Sequence, residues 1–194
     1  MKATIPLSVL LLSFAASAQP DPGFPTYQEP YRGPVPIERL DLNAPVSAQD
    51  LQFITDATEA SLTEAAIGRL ARLHGQNAAV KQLGQRLVDD HQLAIRQLAL
   101  VAARLGVTLP TRPDEANQRR LMMMTSFYGR EFDDAFLRHV IVRDEAVTRM
   151  FRKEVKDGQS ADLRDFAEAT IPMLERHVRI AIGLRDDGRA FSSL

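Results

Sequence analysis

Four strongly polar residues stand near the middle of largely apolar helical stripes: Glu64, His91, Asp144 and His177. A charged or imidazole side chain that faces a core without partners is costly, so these residues must satisfy one another or a ligand. Carboxylate oxygens and neutral imidazole nitrogens bind divalent metals, and the chain has no cysteine to offer sulfur. The four residues therefore indicate a metal site for iron, zinc or manganese. The alternative is a hydrogen-bonded network of the same residues without metal.

Other residues near these positions receive structural interpretations. Asp90 precedes His91 but points around the helix, which gives it a weak role as a ligand. His74 lies at a helix end and His139 on the flank of a stripe, where solvent or local partners satisfy them. The adjacent residues of the run Met122–Met124 cannot share one helical face, so core packing is the preferred interpretation. A full di-iron centre is disfavoured, because the Glu-x-x-His motif that it requires on two helices is missing.

Hydrophobic periodicity predicts the helices that must position these side chains. The four long helices are expected over residues 47–74, 77–105, 129–157 and 160–185. A short extra helix that reaches Tyr128 precedes the third of them, and Pro172 should kink the last. The buried stripe of the last helix is predicted as Leu163, Phe166, Thr170, Met173, His177, Ile180 and Leu184.

Capping residues set the predicted helix ends. Ser47 with Asp50 resembles a capping box, Asn77 caps the second helix, and Gly75 and Gly158 end the helices before them. Turns this short imply antiparallel neighbours, so the expected fold is all-α, an up-down four-helix bundle. The sequence shows no internal repeat of fixed period, and Asp133 is interpreted as favourably placed against a helix dipole.

The spacing of the polar residues allows one shared layer. Glu64 precedes the first turn and His91 follows it by similar distances, which places the two within about one helical turn in height at a rise of roughly 1.5 Å per residue. Asp144 and His177 match less well about the second turn, and a kink at Pro172 would absorb part of the difference.

The N-terminal residues have the features of a targeting segment. Lys2, an apolar run and the sequence Ala16-Ser17-Ala18 predict a secretory signal peptide over residues 1–18. Residues 19–46 hold most of the eleven prolines and predict a disordered linker. An unknown partner in the cell envelope could bind the chain through this linker. Residues 47–185 form the domain, and residues 186–194 are expected to fray. The mature chain is predicted to be periplasmic or associated with the outer membrane, with no transmembrane segment.

Composition excludes several function classes. The formal net charge is -1, with 24 basic and 25 acidic residues, so no basic field is available for nucleic acid. The lack of cysteine excludes a disulfide framework and a thiol nucleophile. No phosphate-binding glycine loop, nucleophile elbow or dinucleotide fingerprint is found.

Several motifs together resemble a known family. They are Glu64-x-x-Ile67-Gly68-x-Leu70-Ala71, Asp90-His91, Gly106-Val107-x-Leu109-Pro110, Phe132-Asp133-x-Ala135-Phe136 and Ile171-Pro172-x-Leu174-x-x-His177. Their order over about residues 50–185 resembles the exported bacterial family called domain of unknown function 4142. The resemblance implies a ferritin-like four-helix fold and an envelope location, without an established reaction. It also implies that histidine usually stands where this chain has Asp144, and aspartate can still bind a metal.

The leading hypothesis is thus an exported ferritin-like bundle that binds one divalent metal through Glu64, His91, Asp144 and His177, with no reaction assigned. The first alternative is a structural or interaction module of the cell envelope, in which a metal-free polar network fixes helix register. A third interpretation is a small-molecule sensor or binder with a pocket beside Pro172 and the small residues Ala57 and Ala60.

Overall fold

The computed structural model describes the backbone of residues 46–192 and the side chains of residues 46–188. This part of the chain contains helices and connecting turns but no strand, as the sequence predicts. The helices are α1 (Ala48–His74), α2 (Ala78–Arg104), α3 (Glu115–Met124), α4 (Gly129–Asp157) and α5 (Ala161–Ser192). None of them is long and apolar enough to cross a membrane. The predicted signal peptide and nearly all of the predicted linker lie outside the described residues.

Most predicted helix ends are confirmed by the caps. Ser47 Oγ accepts a hydrogen bond from the Asp50 backbone N–H at 3.0 Å, and Asn77 Oδ1 accepts one from Ala79 at 2.8 Å. The last helix is longer than predicted, since α5 continues past residue 185 to Ser192.

Helices α1 and α2 form one helical hairpin, and α4 and α5 form another. A buried carboxylate of each hairpin binds the backbone of the short turn in the other hairpin. Asp133 on α4 accepts hydrogen bonds from the backbone N–H groups of Gln76 and Asn77, at 3.0 and 2.8 Å. Asp50 on α1 accepts the equivalent pair from residues 159–160, at 2.9 and 3.0 Å. The roles predicted for both residues are corrected: Asp133 binds a turn of another hairpin, and Asp50 does so instead of completing a capping box.

The two clamps also reveal an internal relationship that the sequence analysis missed. The interval along the chain from Asp50 to Asp133 equals the interval from Gln76 and Asn77 to residues 159–160. The hairpin of α1 and α2 therefore corresponds to the hairpin of α4 and α5. The signal is hidden in the sequence because backbone donors, which any residue offers, form half of each contact.

The four long helices run up, down, down and up, which corrects the simple alternation predicted from the turns. The clamps place the start of α4 beside the end of α1, and Arg104 at the end of α2 pairs with Asp162 at the start of α5, at 2.7 Å. Thus α4 is antiparallel to α1, and α5 is antiparallel to α2. Because α2 and α4 point the same way, the connection between them must return along the bundle, and it contains α3, which packs on α1.

Two apolar clusters fill the interior on either side of the predicted polar residues. One includes Phe53, Phe151 and Phe166 near the start of α1, and the other includes Phe132 and Phe136 near its end. The buried stripe predicted for the last helix is confirmed before Pro172. After it, Leu174 and Ala181 take the buried positions, and Met173, Ile180 and Leu184 are only half-buried.

The contact between α1 and α2 depends on two facing glycines. A Cβ atom added at Gly68 would lie 2.5 Å from the Gly84 carbonyl oxygen, and one added at Gly84 would lie 2.6 Å from the Ala71 Cβ. The helices can approach this closely only without side chains at those positions.

Predicted core packing of the methionine run is wrong for two of its three members. Met122 and Met123 are 75% and 57% exposed, whereas Met124 is 2% exposed. Because α3 packs through one face only, a run of adjacent residues cannot all reach the core.

Glu154 on α4 is a buried titratable residue at the end of the bundle opposite the α1–α2 turn. Its Oε2 accepts a hydrogen bond from Gln49, and its Oε1 has no partner among the described residues. Burial raises the pKa of Glu154 from 4.5 to about 7; the hydrogen bond from Gln49 opposes the rise, and the nearby Asp50 carboxylate adds to it.

Candidate metal centre

A layer of polar side chains separates the two apolar clusters at mid-height of the bundle. The four residues predicted from sequence are all within it: Glu64, Asp144 and His177 are 0% exposed and His91 is 2% exposed. The structure brings one ligand atom from each of His91, Asp144 and His177 within 4.8 Å of one another. Glu64 is not part of this close group.

His177 lies between two carboxylates. Its Nδ1 is 3.2 Å from Asp144 Oδ2, and its Nε2 is 2.9 Å from Asp90 Oδ2. Burial alone lowers the pKa of His177, but the hydrogen bonds and charges of the two aspartates outweigh it and raise the pKa to about 9. At neutral pH this imidazole is therefore an imidazolium that donates to both aspartates. Asp90 is outside the close group of His91, Asp144 and His177, in keeping with its predicted weak role as a ligand, but its side chain reaches α5 and binds His177.

Glu64 pairs with His139 across α1 and α4. Glu64 Oε1 is 2.8 Å from His139 Nε2. Burial raises the pKa of Glu64, but the charge and hydrogen bond of His139, with the charge of Arg143, lower it overall. Burial also lowers the pKa of His139, and the Glu64 charge and hydrogen bond raise it above its usual value. The prediction that solvent or local partners satisfy His139 is wrong, because its side chain is only 9% exposed and its partner is a predicted site residue on another helix, 75 residues away.

His91 is the unsatisfied member of the layer. Neither of its ring nitrogens has a hydrogen-bond partner among the described residues, although its ring lies 5.5 Å from that of His177. Burial lowers the pKa of His91, and the charge of Asp144 offsets this only in part. His91 is thus a neutral imidazole with a buried lone pair. Glu64 Oε2 and Asp144 Oδ1 are also without partners among the described residues.

Asp90 and His139 are the residues that sequence reasoning missed, and the sequence carries a weak signal for both. Asp90 stands three residues after Leu87 and His139 three residues after Phe136, and both of these apolar residues are buried. A core-facing stripe wide enough to include such positions reaches the two missed residues. Each lies at the stripe edge that faces a neighbouring helix, α5 for Asp90 and α1 for His139.

Among the paired side chains of the layer in the described part of the chain, the two at the edges are the ones with solvent exposure. The side chains of Asp90 and His139 are 25% and 9% exposed, while those of Glu64, Asp144 and His177 are 0% exposed. Between the edges the layer lies in apolar packing, where charges interact strongly because solvent screens them little. Such a setting can hold protons or a cation away from water.

A family model for a domain of unknown function, DUF4142, matches residues 39–184 of the chain. The chain belongs to this family. The comparison with curated proteins and the comparison with solved structures give no match. The DUF4142 match begins before α1 and ends within α5, so it includes every residue of the polar layer.

The donor atoms of this DUF4142 domain fit a metal ion in chemical type and nearly in spacing. Two nitrogens and a carboxylate oxygen from His91, His177 and Asp144 form a donor set used by zinc and by non-haem iron. Their separations of up to 4.8 Å exceed the separation of about 3.4 Å between two ligands of a tetrahedral ion with bonds of about 2.1 Å. The three donors are thus more widely spaced than the ligands of a bound tetrahedral ion.

Proposed function

We propose that this DUF4142 protein is an exported metal-binding bundle in which His91, Asp144 and His177 hold one divalent metal ion. The observation that supports the proposal best is the buried His91 ring, whose two nitrogens lack partners beside an unpartnered oxygen of Asp144. An unsatisfied buried polar group costs about 1–3 kcal/mol. A metal bond to His91 and Asp144 would recover that cost.

The neighbouring residues support the same role. Asp90 accepts from Nε2 of His177, which leaves Nδ1 as the nitrogen that faces His91 and Asp144 once its proton is released. A carboxylate on the outer nitrogen of a ligating histidine fixes the tautomer and the ring orientation. Glu64 Oε2 would be an additional oxygen ligand. The ligand types favour iron, zinc or manganese, which would supply Lewis-acid chemistry or, for iron and manganese, redox chemistry when bound.

The fold and the sequence support the finer assignments. One long connection between two helical hairpins is typical of ferritin-like folds, and here the segment with α3 joins α2 to α4 in that way. The signal-peptide pattern over residues 1–18 supports export to the periplasm or outer membrane, and the proline-rich residues 19–46 suit a tether to an envelope partner.

Metal analysis tests the proposal directly. Protein purified from its own compartment should carry about one equivalent of iron, zinc or manganese, and a variant with both His91→Ala and His177→Ala should carry none. Chelation should lower the melting temperature of the natural protein and leave that of the double variant unchanged. Metal-free protein that binds none of the three ions and ignores the chelator would overturn the proposal.

A second function is favoured by a different observation. Both nitrogens of His177 are satisfied by aspartates, and Glu64 is satisfied in part by His139, so most of the layer is paired without a metal. In this alternative the layer fixes the register of four helices, and the protein is a structural or interaction module of the envelope. The alternative predicts that metals leave the melting temperature unchanged while His177→Ala lowers it strongly.

A further inference from the structure

A second polar feature lies between α4 and α5 and shares no residue with the polar layer. An open pocket of about 480 Å³ forms between the two helices, and its polar lining comes from Glu145, Thr148, Arg149, Arg152, Glu175 and Arg179. The volume is in the range of small-molecule sites. Three guanidinium groups and two carboxylates give the lining a net positive charge.

Thr148 is the feature that separates this pocket from an ordinary charged groove. Its side chain is buried, with 5% exposure, and Oγ1 has no hydrogen-bond partner among the described residues. Other threonines in the helices donate to the carbonyl four residues earlier, as Thr58 and Thr170 do at 2.7 and 2.8 Å. Thr148 lines the pocket and does not make this bond, so its buried hydroxyl is left without a partner among the described residues.

The arginines differ in their pairing. Arg152 is held by Glu175 at 2.6 Å, which neutralises both groups. Arg149 and Arg179 make no ion pair within 4.0 Å in the described part of the chain. Arg149 follows Thr148 directly on α4, and Arg179 faces the same pocket from α5. Planar guanidinium groups bind phosphate and carboxylate oxygens through paired hydrogen bonds.

We propose that this pocket binds a small organic anion through its phosphate or carboxylate group. Arg149 and Arg179 contact the anionic oxygens from the two helices, and Thr148 donates a hydrogen bond to the same group. Glu145 at the pocket wall repels a second negative charge, so the site accepts an anion with one compact charged group. The proposal is independent of the metal site, because none of its residues belongs to the polar layer.

Titration calorimetry with inorganic phosphate and with acetate, at constant ionic strength set by sodium chloride, tests the site on the full chain. Saturable binding of one equivalent of either probe is expected, and the preferred probe identifies the anionic group. The double variant Arg149→Gln, Arg179→Gln should weaken binding about tenfold or more, since hydrogen bonds to charged groups are lost. The matched control is Arg138→Gln, an exposed arginine of α4 outside the pocket, which should bind the probe as the natural chain does.

Thr148→Val provides the second variant, because valine has nearly the same shape and lacks the hydroxyl. It should weaken binding about threefold or more while the melting temperature stays equal or rises, since a buried unpaired hydroxyl is removed. Metal content should be unchanged in all of these variants, so failure here is distinct from failure of the metal proposal. The inference is overturned if neither probe binds saturably, if Arg138→Gln weakens binding as much as the double variant, or if Thr148→Val binds like the natural chain.

Discussion

Replacing His91 with leucine separates the two roles that a buried imidazole can have in the polar layer. Leucine has a similar volume, so packing against the two apolar clusters is retained. The ring of His91 makes no hydrogen bond within the described residues, so the substitution breaks none there. It does remove one of the three proposed metal ligands. His91→Leu should therefore make the protein more stable than the natural chain without metal and less stable than the natural chain with metal.

The magnitudes follow from the burial of the ring. Without metal, two unsatisfied nitrogens disappear, and the free energy of unfolding should rise by about 1–3 kcal/mol. For a domain of this size each kcal/mol moves the melting temperature by about 2–4 °C. With metal at about a thousand times its Kd, the natural protein gains about 4 kcal/mol that the variant cannot gain. The variant should then be the less stable of the two.

Urea unfolding followed by circular dichroism, with chelator and again with excess zinc or manganese, measures both signs in one series. His177→Leu is the matched control, because it also removes a ligand but leaves Asp144 and Asp90 without their shared partner. Breaking such a buried charged pair costs about 3–5 kcal/mol, so this control should be destabilised even with chelator.

Two results would refute the reasoning. A loss of stability in chelator for His91→Leu would mean that the imidazole is satisfied by the protein after all. An undiminished metal-induced shift in His91→Leu would mean that the metal binds elsewhere. Equal destabilisation of the His91 and His177 variants would favour the metal-free network.

Three further predictions concern other parts of the fold. Asp90→Asn should weaken metal affinity about 10–100-fold, measured by competition with a chromogenic chelator, because the charge that orients His177 is lost; unchanged affinity would contradict that role. The pKa of Glu154 is raised from 4.5 to about 7 in the folded state. Burial of this group therefore does not lower the free energy of unfolding below pH 4.5, and it lowers that free energy by the full amount above pH 7, where the carboxyl is ionised. Glu154→Gln should therefore gain about 1–3 kcal/mol over the natural protein as the pH rises through this window, and parallel pH profiles of urea unfolding would contradict it. Gly84→Ala should lower the melting temperature, because the added Cβ would lie 2.6 Å from another side chain. The control is Gly183→Ala, which has open space around it and should raise the free energy of unfolding by about 0.5–1 kcal/mol. Similar effects of the two changes would show that α1 and α2 can separate without cost.

The sequence predicted those features that depend on local chemistry. Ser47 and Asn77 cap helices where predicted, since a capping side chain bonds to a backbone N–H only two or three residues away. The burial of Glu64, His91, Asp144 and His177 was also predictable, because helical periodicity records which face of each helix is apolar. The stripe of α5 shifted after Pro172 because periodicity alone does not fix the rotation of a helix against its neighbours.

Only the tertiary structure decided which helices face each other and which polar atoms meet. The same short turns fit either direction for α4, and the return of the chain through α3 determined that α4 runs antiparallel to α1. That choice brings His139 to Glu64 and Asp90 to His177, across sequence separations of 75 and 87 residues. It also leaves His91 without a partner among the described residues. A pattern within one helix holds no information on such pairings, because they depend on the relative height and rotation of separate helices.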